Sequence, residues 1–528
     1  MAAITVRTRR PLDIPIALIG TSALVAAAML LPIAYLVVRV WNAGVFWDEV
    51  TAPATRDAIV RTALLAAATT AGAIAISLPL AWLTTRTDLP FRRAWSVLLV
   101  LPLAIPSYVG AFTFIAALGP RGMLQDALEP LGVDRLPEIY GFWGAWAALT
   151  LFTFPYVMMP VRASLRGIDR SIEEAARGLG AGSLRAFARV TLPQLRPAIA
   201  AGGLLVALYT LSDFGAVSLL RFDSLTRIIY VRYTSSFDRS SAAALALLLV
   251  ALTLVVVTLE SATRGRARYH ATSRHQPPSV VRLGHWRWPA LAFCSFILTV
   301  SLLLPVSVIA YWLFRGIDAG EPVGFVREAA YNSVYASGFA AVAAAIACMP
   351  VAILAVRYPS MLSSAIEKIT YSGFALPGIS IALALVFFAA NYAEPVYQTL
   401  PLLVFAYVVR FLPQAYGAVR ASLLQVNPNT ETAARGLGRG KAYVFWRVTL
   451  PQVLPGVSGG AVLVFLTVMK ELPATLILSP IGFDTLATRI WSATSEGFYT
   501  RAALPALILV ALSSLPMLFS VLREERRA

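Results

Sequence analysis

Runs of about twenty apolar residues recur along the whole of this 528-residue chain; AAALALLLVALTLVVVTL, from Ala242 to Leu259, is one of them. A helix of that length matches a ~30 Å hydrocarbon core, inside which backbone groups are satisfied only in helices or closed barrels. Counting such windows gives twelve spans, centred near residues 27, 70, 106, 150, 208, 250, 301, 344, 380, 409, 468 and 512. Only 13% of the residues are charged and 58% are hydrophobic, whereas soluble domains carry about a quarter charged residues. An all-α polytopic membrane protein is therefore expected. The run from about Ile14 to Val40, behind Arg7, Arg9 and Arg10, is too long for a signal-peptide core and reads as a retained first span.

The net charge of +17 has a membrane explanation, because Lys and Arg collect in cytoplasmic loops. Arg86, Arg92 and Arg93 follow the second span, and Arg162, Arg166, Arg170, Arg177, Arg185 and Arg189 follow the fourth. Those loops, the segment Arg264 to Arg287 and the tail Arg523 to Arg527 fall on one side, so both termini are expected in the cytoplasm. No basic stripe with interleaved aromatics forms a nucleic-acid module. The stretch Arg221 to Arg239 departs from the pattern: either its arginines line a surface used on the outer side, the reading preferred because Asp223 and Asp238 dilute the bias, or the fifth and sixth spans are misdrawn. Cys294 and Cys348 both lie in apolar runs and read as packing residues.

The chain also repeats itself. EEAARGLGAGSLRAFARVTLPQLRP, from Glu173, and ETAARGLGRGKAYVFWRVTLPQVLP, from Glu431, agree at 16 of 25 positions and lie 258 residues apart. VRASL at Val161 and Val419 and the prolines Pro155 and Pro413 keep that offset, while SLPLAWLTTR ending at Arg86 resembles CMPVAILAVR ending at Arg357. An even number of spans per repeat gives two halves of the same orientation, a parallel six-plus-six repeat. The expected layout is a first half over 1–260, a cytoplasmic linker over 261–287 and a second half over 288–528. All three histidines, His270, His275 and His285, lie in the linker, where an apolar periodicity is lacking.

Within each copy the pattern predicts a short helix, a glycine turn and a second helix start, with Pro193 and Pro451 early in the next span. An interfacial helix would need only composition. Identity at so many positions, small residues included, implies that another surface approaches closely and has a matching pair of pockets. GLGRGKA at Gly436 is not a phosphate loop, because the spacing fails and Ala442 stands where Ser or Thr is required.

The spacing EAA, three residues, Gly, nine residues, an aliphatic, one residue, Leu-Pro resembles the cytoplasmic EAA loop of permeases of binding-protein-dependent ABC importers. Glu174, Ala175, Ala176, Gly180, Val190, Leu192 and Pro193 match it in the first half; Ala433, Ala434, Gly438, Val448, Leu450 and Pro451 match it in the second, where Thr432 replaces the glutamate beside Glu431. The resemblance implies the type I importer permease fold, with EAA loops at about 161–196 and 419–455. It assigns ATPase coupling to Glu173, Glu174, Ala175, Ala176, Arg177, Gly178 and Gly180, and to Glu431, Ala433, Ala434, Arg435, Gly436 and Gly438. It implies two ATPase subunits at the cytoplasmic face holding ATP and Mg, an external substrate-binding protein, a bacterial inner-membrane location, and no cofactor or catalysis on this chain.

Charges inside spans are functional hypotheses by default. Asp213 and Glu471 are related by the same offset of 258, and Lys470 precedes the second. Two roles are open to them: contact with substrate on the pathway, or an interhelix lock such as Asp213 with Lys470. SDFGAVSLLRFDSLT and KELPATLILSPIGFDTLATRIW are similar to segments of fused permeases of the ferric iron importer family. Fe(III) is hard and prefers oxygen ligands, so carboxylates suit such a path. Thiamine and phosphonate importers also use fused permeases, and a gradient-driven secondary transporter is the alternative of another class.

Overall fold

The computed structural model describes residues 15–527, apart from 121, 134, 169–175, 177, 181, 236–237, 264–279 and 322–323. Glu173, Glu174, Ala175, Arg177, His270 and His275 lie outside the described residues. Every named element among the described residues is helical. Among the described residues ten helices are long and apolar enough to cross a membrane, and up to twelve if each of two bent pairs is one span.

The two bent pairs correct the expected third and ninth spans. Arg92–Ala104 meets Ser107–Leu131 at 94°, and Met361–Ala375 meets Gly378–Tyr392 at 105°. Both breaks stand at a proline, Pro106 or Pro377, and the preceding Ile105 and Leu376 are extended, at φ −81° and −95°. A proline disfavours helical geometry in its predecessor, but its ring is apolar, so a hydropathy window reads straight through it. The fifth and eleventh spans also lie earlier than their apolar centres, over Phe187–Ser212 and Lys441–Met469. In each, the backbone stops at the intramembrane acid and restarts as a short apolar helix, Gly215–Leu219 or Pro473–Leu478, which the window had merged with the span. Pro193 and Pro451 sit two residues beyond a π-helical turn, Phe187–Thr191 or Phe445–Thr449. The wider turn takes up a residue that lacks an N–H to donate.

The chain forms two compact units that are discontinuous in sequence. One comprises Met1–Glu49, Asp238–Val250 and Gly324–Arg489; the other comprises Val50–Phe237, Ala251–Val323 and Ile490–Ala528. The halves of the sequence repeat and the compact units are thus different partitions of the chain. In the first unit Ile16–Ala43 packs on Gly324–Arg357, Met361–Tyr371 and Gly378–Tyr392. Tyr35 donates to the Phe387 carbonyl at 3.1 Å, and Arg39 lies 4.0 Å over the Phe387 ring. In the second unit the seventh span, Gly284–Asp318, buries Cys294 and Ile297 beside Phe154, Val157 and Leu195. The last helix packs on Leu304–Asp318, where Arg501 meets Glu321 at 3.1 Å. Both cysteines are free and buried.

Each unit has the same three-helix centre: Pro53–Arg86, Pro155–Gly167 and Leu192–Ser212 in one, and Gly324–Arg357, Leu400–Gln425 and Leu450–Met469 in the other. A Cβ at Gly202 would lie 2.6 Å from Val157 Cα, and one at Gly460 would lie 3.1 Å from Ala415 Cα. The two pairs are repeat-related, and small residues at such crossings let helix backbones approach where water gives no driving force. At the end of the linker, Leu283 donates to Asp88 at 2.8 Å and Arg287 pairs with it at 3.1 Å, which ties the linker to the end of Pro53–Arg86. These bonds, the Leu283 N–H foremost, hold the Asp88 carboxyl below the usual carboxylate range against the opposing effect of desolvation.

Candidate coupling loops and pathway acids

In the second copy the expected short helix runs over Pro428–Gly436, with Asn427 as N-cap accepting from the Asn429 N–H at 3.0 Å. It ends at Gly438, whose φ of +78° is the left-handed conformation that glycine adopts without strain. Gly180 holds the repeat-related position with φ +88°. At Gly178 and Gly436 a Cβ would meet nothing within 4 Å, so none of the described residues demands a small residue there.

Glu431 faces inward and is 8% exposed. It accepts from Arg357 at 2.9 Å and from the Thr449 hydroxyl at 3.1 Å, and Arg435 lies 3.5 Å away. Arg357 ends one membrane helix and Thr449 lies in the π turn that enters another, so a single carboxylate fastens the loop helix to both. Hydrogen bonds to an ionised group are the stronger kind, and here they are shielded from solvent. The acid that performs this task is Glu431, while Thr432 is exposed. Ala433, Arg435, Gly436 and Gly438 are exposed and Ala434 is half-buried. In the first copy Arg86, repeat-related to Arg357, is buried and donates to the carbonyls of Leu165 and Ile168 at 2.5 and 3.1 Å. Of the remaining first-copy residues, Ala176 is half-buried and Gly178 and Gly180 are exposed.

Sequence reasoning missed Leu179 and Leu437, the residues before each turn glycine. They are 90% and 82% exposed, the same apolar side chain presented at the same place in both loops. Their signal was available in the LG step common to both copies.

The pathway acids occupy matching local structures. Asp213 follows Leu192–Ser212, and its carboxylate accepts from the N–H groups of Ala216 and Val217 at 3.0 and 3.3 Å. Glu471 follows Leu450–Met469 and accepts from the Ala474 N–H at 3.3 Å. Each acid therefore caps the short helix that resumes after the break. Each is nearly buried, at 7% and 6% exposed, and Lys470 beside Glu471 is half-buried.

Their further partners differ. Asp213 accepts from the Ser107 hydroxyl, whereas Glu471 pairs with Arg410 at 2.9 Å. Arg410 lies inside the helix Leu400–Gln425 and carries an intramembrane charge that sequence reasoning overlooked, because VVRFLP reads as an apolar run. The repeat counterparts explain the exchange. Gly378 stands where the first half has Ser107, and Phe152 where the second has Arg410. A Cβ at Gly378 would fall 1.5 Å from Arg410 Nη1 and 2.6 Å from Glu471 Oε1. The guanidinium occupies the space that serine's side chain takes in the other half. Among the described residues no group of three His, Cys, Asp or Glu side chains gathers in metal-binding geometry.

A family model described as the inner membrane component of binding-protein-dependent transport systems matches residues 59–269 and again 349–527. The chain belongs to this family. The two matches coincide with the internal repeat, so the permease carries the family's domain twice. It is 35% identical over 502 residues to the Fe(3+)-transport system permease protein FbpB 2 of Haemophilus influenzae, covering 94% of this permease and 96% of that one. It is 25% identical over 477 residues to the ferric transport system permease protein FbpB of Actinobacillus pleuropneumoniae, covering 85% and 68%. The sulfate transport system permease protein CysT of Salmonella typhimurium matches at 30% over 248 residues, 45% of this permease and 88% of that chain. The permease is a multi-pass transport subunit of the type I fold, with a substrate-binding protein and an ATPase as its implied partners.

Proposed function

We propose that the permease carries ferric iron, delivered by an external binding protein, through the inner membrane at the expense of ATP hydrolysed by two separate ATPase subunits. Both termini and both EAA loops face the cytoplasm in this reading, and ATP and Mg stay on the ATPases. The similarity to an Fe(3+)-transport permease over 94% of the chain supports the substrate. The observation that carries the mechanism is Glu431, which bonds the loop helix at once to Arg357 and Thr449. A loop fastened to two membrane helices passes on a displacement that a floppy loop would absorb. Closure of the ATPase pair on ATP then moves each loop as a lever and biases the membrane helices between their two arrangements. Asp213 and Glu471 stand where the spans break, as pathway or locking residues, and their oxygen donors suit a hard cation.

The test is radioactive iron uptake by proteoliposomes holding this permease with the ATPase and binding protein of its own system. Uptake should need ATP, and Glu431→Ala should cut it at least tenfold while ATP hydrolysis continues. Uptake driven by an ion gradient without ATPase would overturn the reading in favour of secondary transport. Full ATP-driven uptake by the Glu431→Ala variant would refute the lever alone.

A further inference from the structure

A cavity of about 430 Å³ opens in the second compact unit, walled by Tyr140, Phe214, Tyr230, Trp491 and Tyr499. Its size is that of an ordinary small-molecule site. The span Phe142–Gly167 begins next to Tyr140 and ends at the approach to the first EAA loop, so the cavity and that loop lie at opposite ends of one span.

The polar part of the wall is cationic in excess. Arg221 and Arg227 line it, with Glu496 as the facing acid. Arg227 is tied to Asp223, which also lies 3.7 Å from Arg61, so one carboxylate serves two guanidinium groups. Arg221 has no ion pair among the described residues; its guanidinium lies 4.8 Å over the Tyr140 ring. Three arginines against Asp223 and Glu496 leave one positive charge.

The backbone adds an independent observation. Arg221 has φ +53°, in the left-handed region. Its N–H bonds the Ser218 carbonyl at 3.1 Å and the Phe222 N–H bonds that of Val217 at 2.8 Å. These are the two bonds of a Schellman cap, in which the left-handed position is ordinarily glycine. An arginine there is strained, and strain held at the mouth of a cavity points to a task for the side chain. No bond of the cap uses that side chain, whose guanidinium is directed instead to the Tyr140 ring in the cavity wall.

We infer that this cavity binds a small organic oxyanion, a monoanion whose acid group pairs with Arg221 and whose flat or apolar body lies against the aromatic wall. A guanidinium matches a carboxylate or phosphate in a bidentate fork, and the surplus of one charge is what a single acid group neutralises. The acid belongs either to a free organic acid or to a lipid headgroup, and the inference does not rest on the transport reading above.

The cap supplies its own control, because Arg221→Gly deletes the guanidinium and relieves the strain, and Arg221→Asn does so with a second residue that tolerates this geometry. Equilibrium dialysis of labelled benzoate against the full-length protein, in nanodiscs of neutral phosphatidylcholine, measures binding. Wild type should bind about one benzoate per chain, and both variants should bind at least tenfold more weakly while melting no lower than wild type. Repeating the titration in nanodiscs containing phosphatidylglycerol separates the sources: competition dependent on Arg221 assigns the site to a lipid headgroup, and unchanged benzoate binding assigns it to a free acid. The inference is overturned if neither ligand shows binding dependent on Arg221, or if both variants melt well below wild type.

Discussion

Replacing Gly378 with serine should destabilise the native protein and stabilise a variant that lacks Arg410. In the native chain the added Cβ would fall 1.5 Å from Arg410 Nη1, so the guanidinium must leave Glu471. Stripping a buried carboxylate of its ion partner costs about 3–5 kcal/mol. The new hydroxyl returns about 1.5–3 kcal/mol as a hydrogen bond to a charged group, for a net loss near 2 kcal/mol. In Arg410→Ala the ion pair is already gone and the space beside Gly378 is empty. Serine there rebuilds the arrangement of Ser107 with Asp213 and should recover about 1.5–3 kcal/mol. The coupling between the two sites is then about 3–5 kcal/mol, well beyond that of independent positions. The assay is the apparent melting temperature of the four proteins in one detergent at one scan rate, since unfolding of such a chain is governed by rate. Serine at 378 should lower it in the native background and raise it in Arg410→Ala. A shift of the same sign in both backgrounds would refute the exchange of serine for arginine between the halves.

Leu179→Asp and Leu437→Asp should each weaken retention of the ATPase subunits on affinity purification about tenfold with no loss of thermal stability, because both side chains are already in solvent. Unchanged retention in the double variant would remove these leucines from the docking surface. Asp88 is held below the ordinary carboxylate value of about 3.9, so its bonds to Leu283 and Arg287 contribute fully above that value. They are lost only as pH falls through the lower folded value. Protection factors for hydrogen exchange in the segment 281–287, taken relative to the intrinsic rate at each pH, should accordingly stay flat from pH 7 to about pH 4 and fall below it. A fall near pH 6 would contradict this, and Asp88→Asn should be poorly protected throughout.

Much of this architecture is written in the sequence at the level of residue type. Apolar runs mark the ten long spans and the two bent pairs among the described residues, and the duplicated EAA segment gives the repeat, the loop helix ahead of Gly438 and the family. What escaped is what residue type does not encode. Pro106 and Pro377 bend their spans although both are apolar in the count. Arg410 is isolated within a hydrophobic helix, and its role depends on Gly378 being empty of a side chain. Glu431 looked like a leftover beside the missing glutamate, and only the approach of Arg357, 74 residues earlier, makes it the anchor. Arg221 stood out in the sequence only as one of a misplaced group of arginines, because what sets it apart from the others is a dihedral angle.

The interleaving of the two compact units has a consequence for how the protein is made. The unit that begins at Val50 is completed only by Ile490–Ala528. At about 5–20 residues per second, the roughly 250 residues between Phe237 and Ile490 occupy the ribosome for about 13–50 s. Through that interval the early helices sit in the bilayer with their last partner unborn. Order of synthesis is therefore not order of assembly, and a ribosome that stalls between Gly324 and Arg489 leaves both units unfinished rather than one finished and one absent.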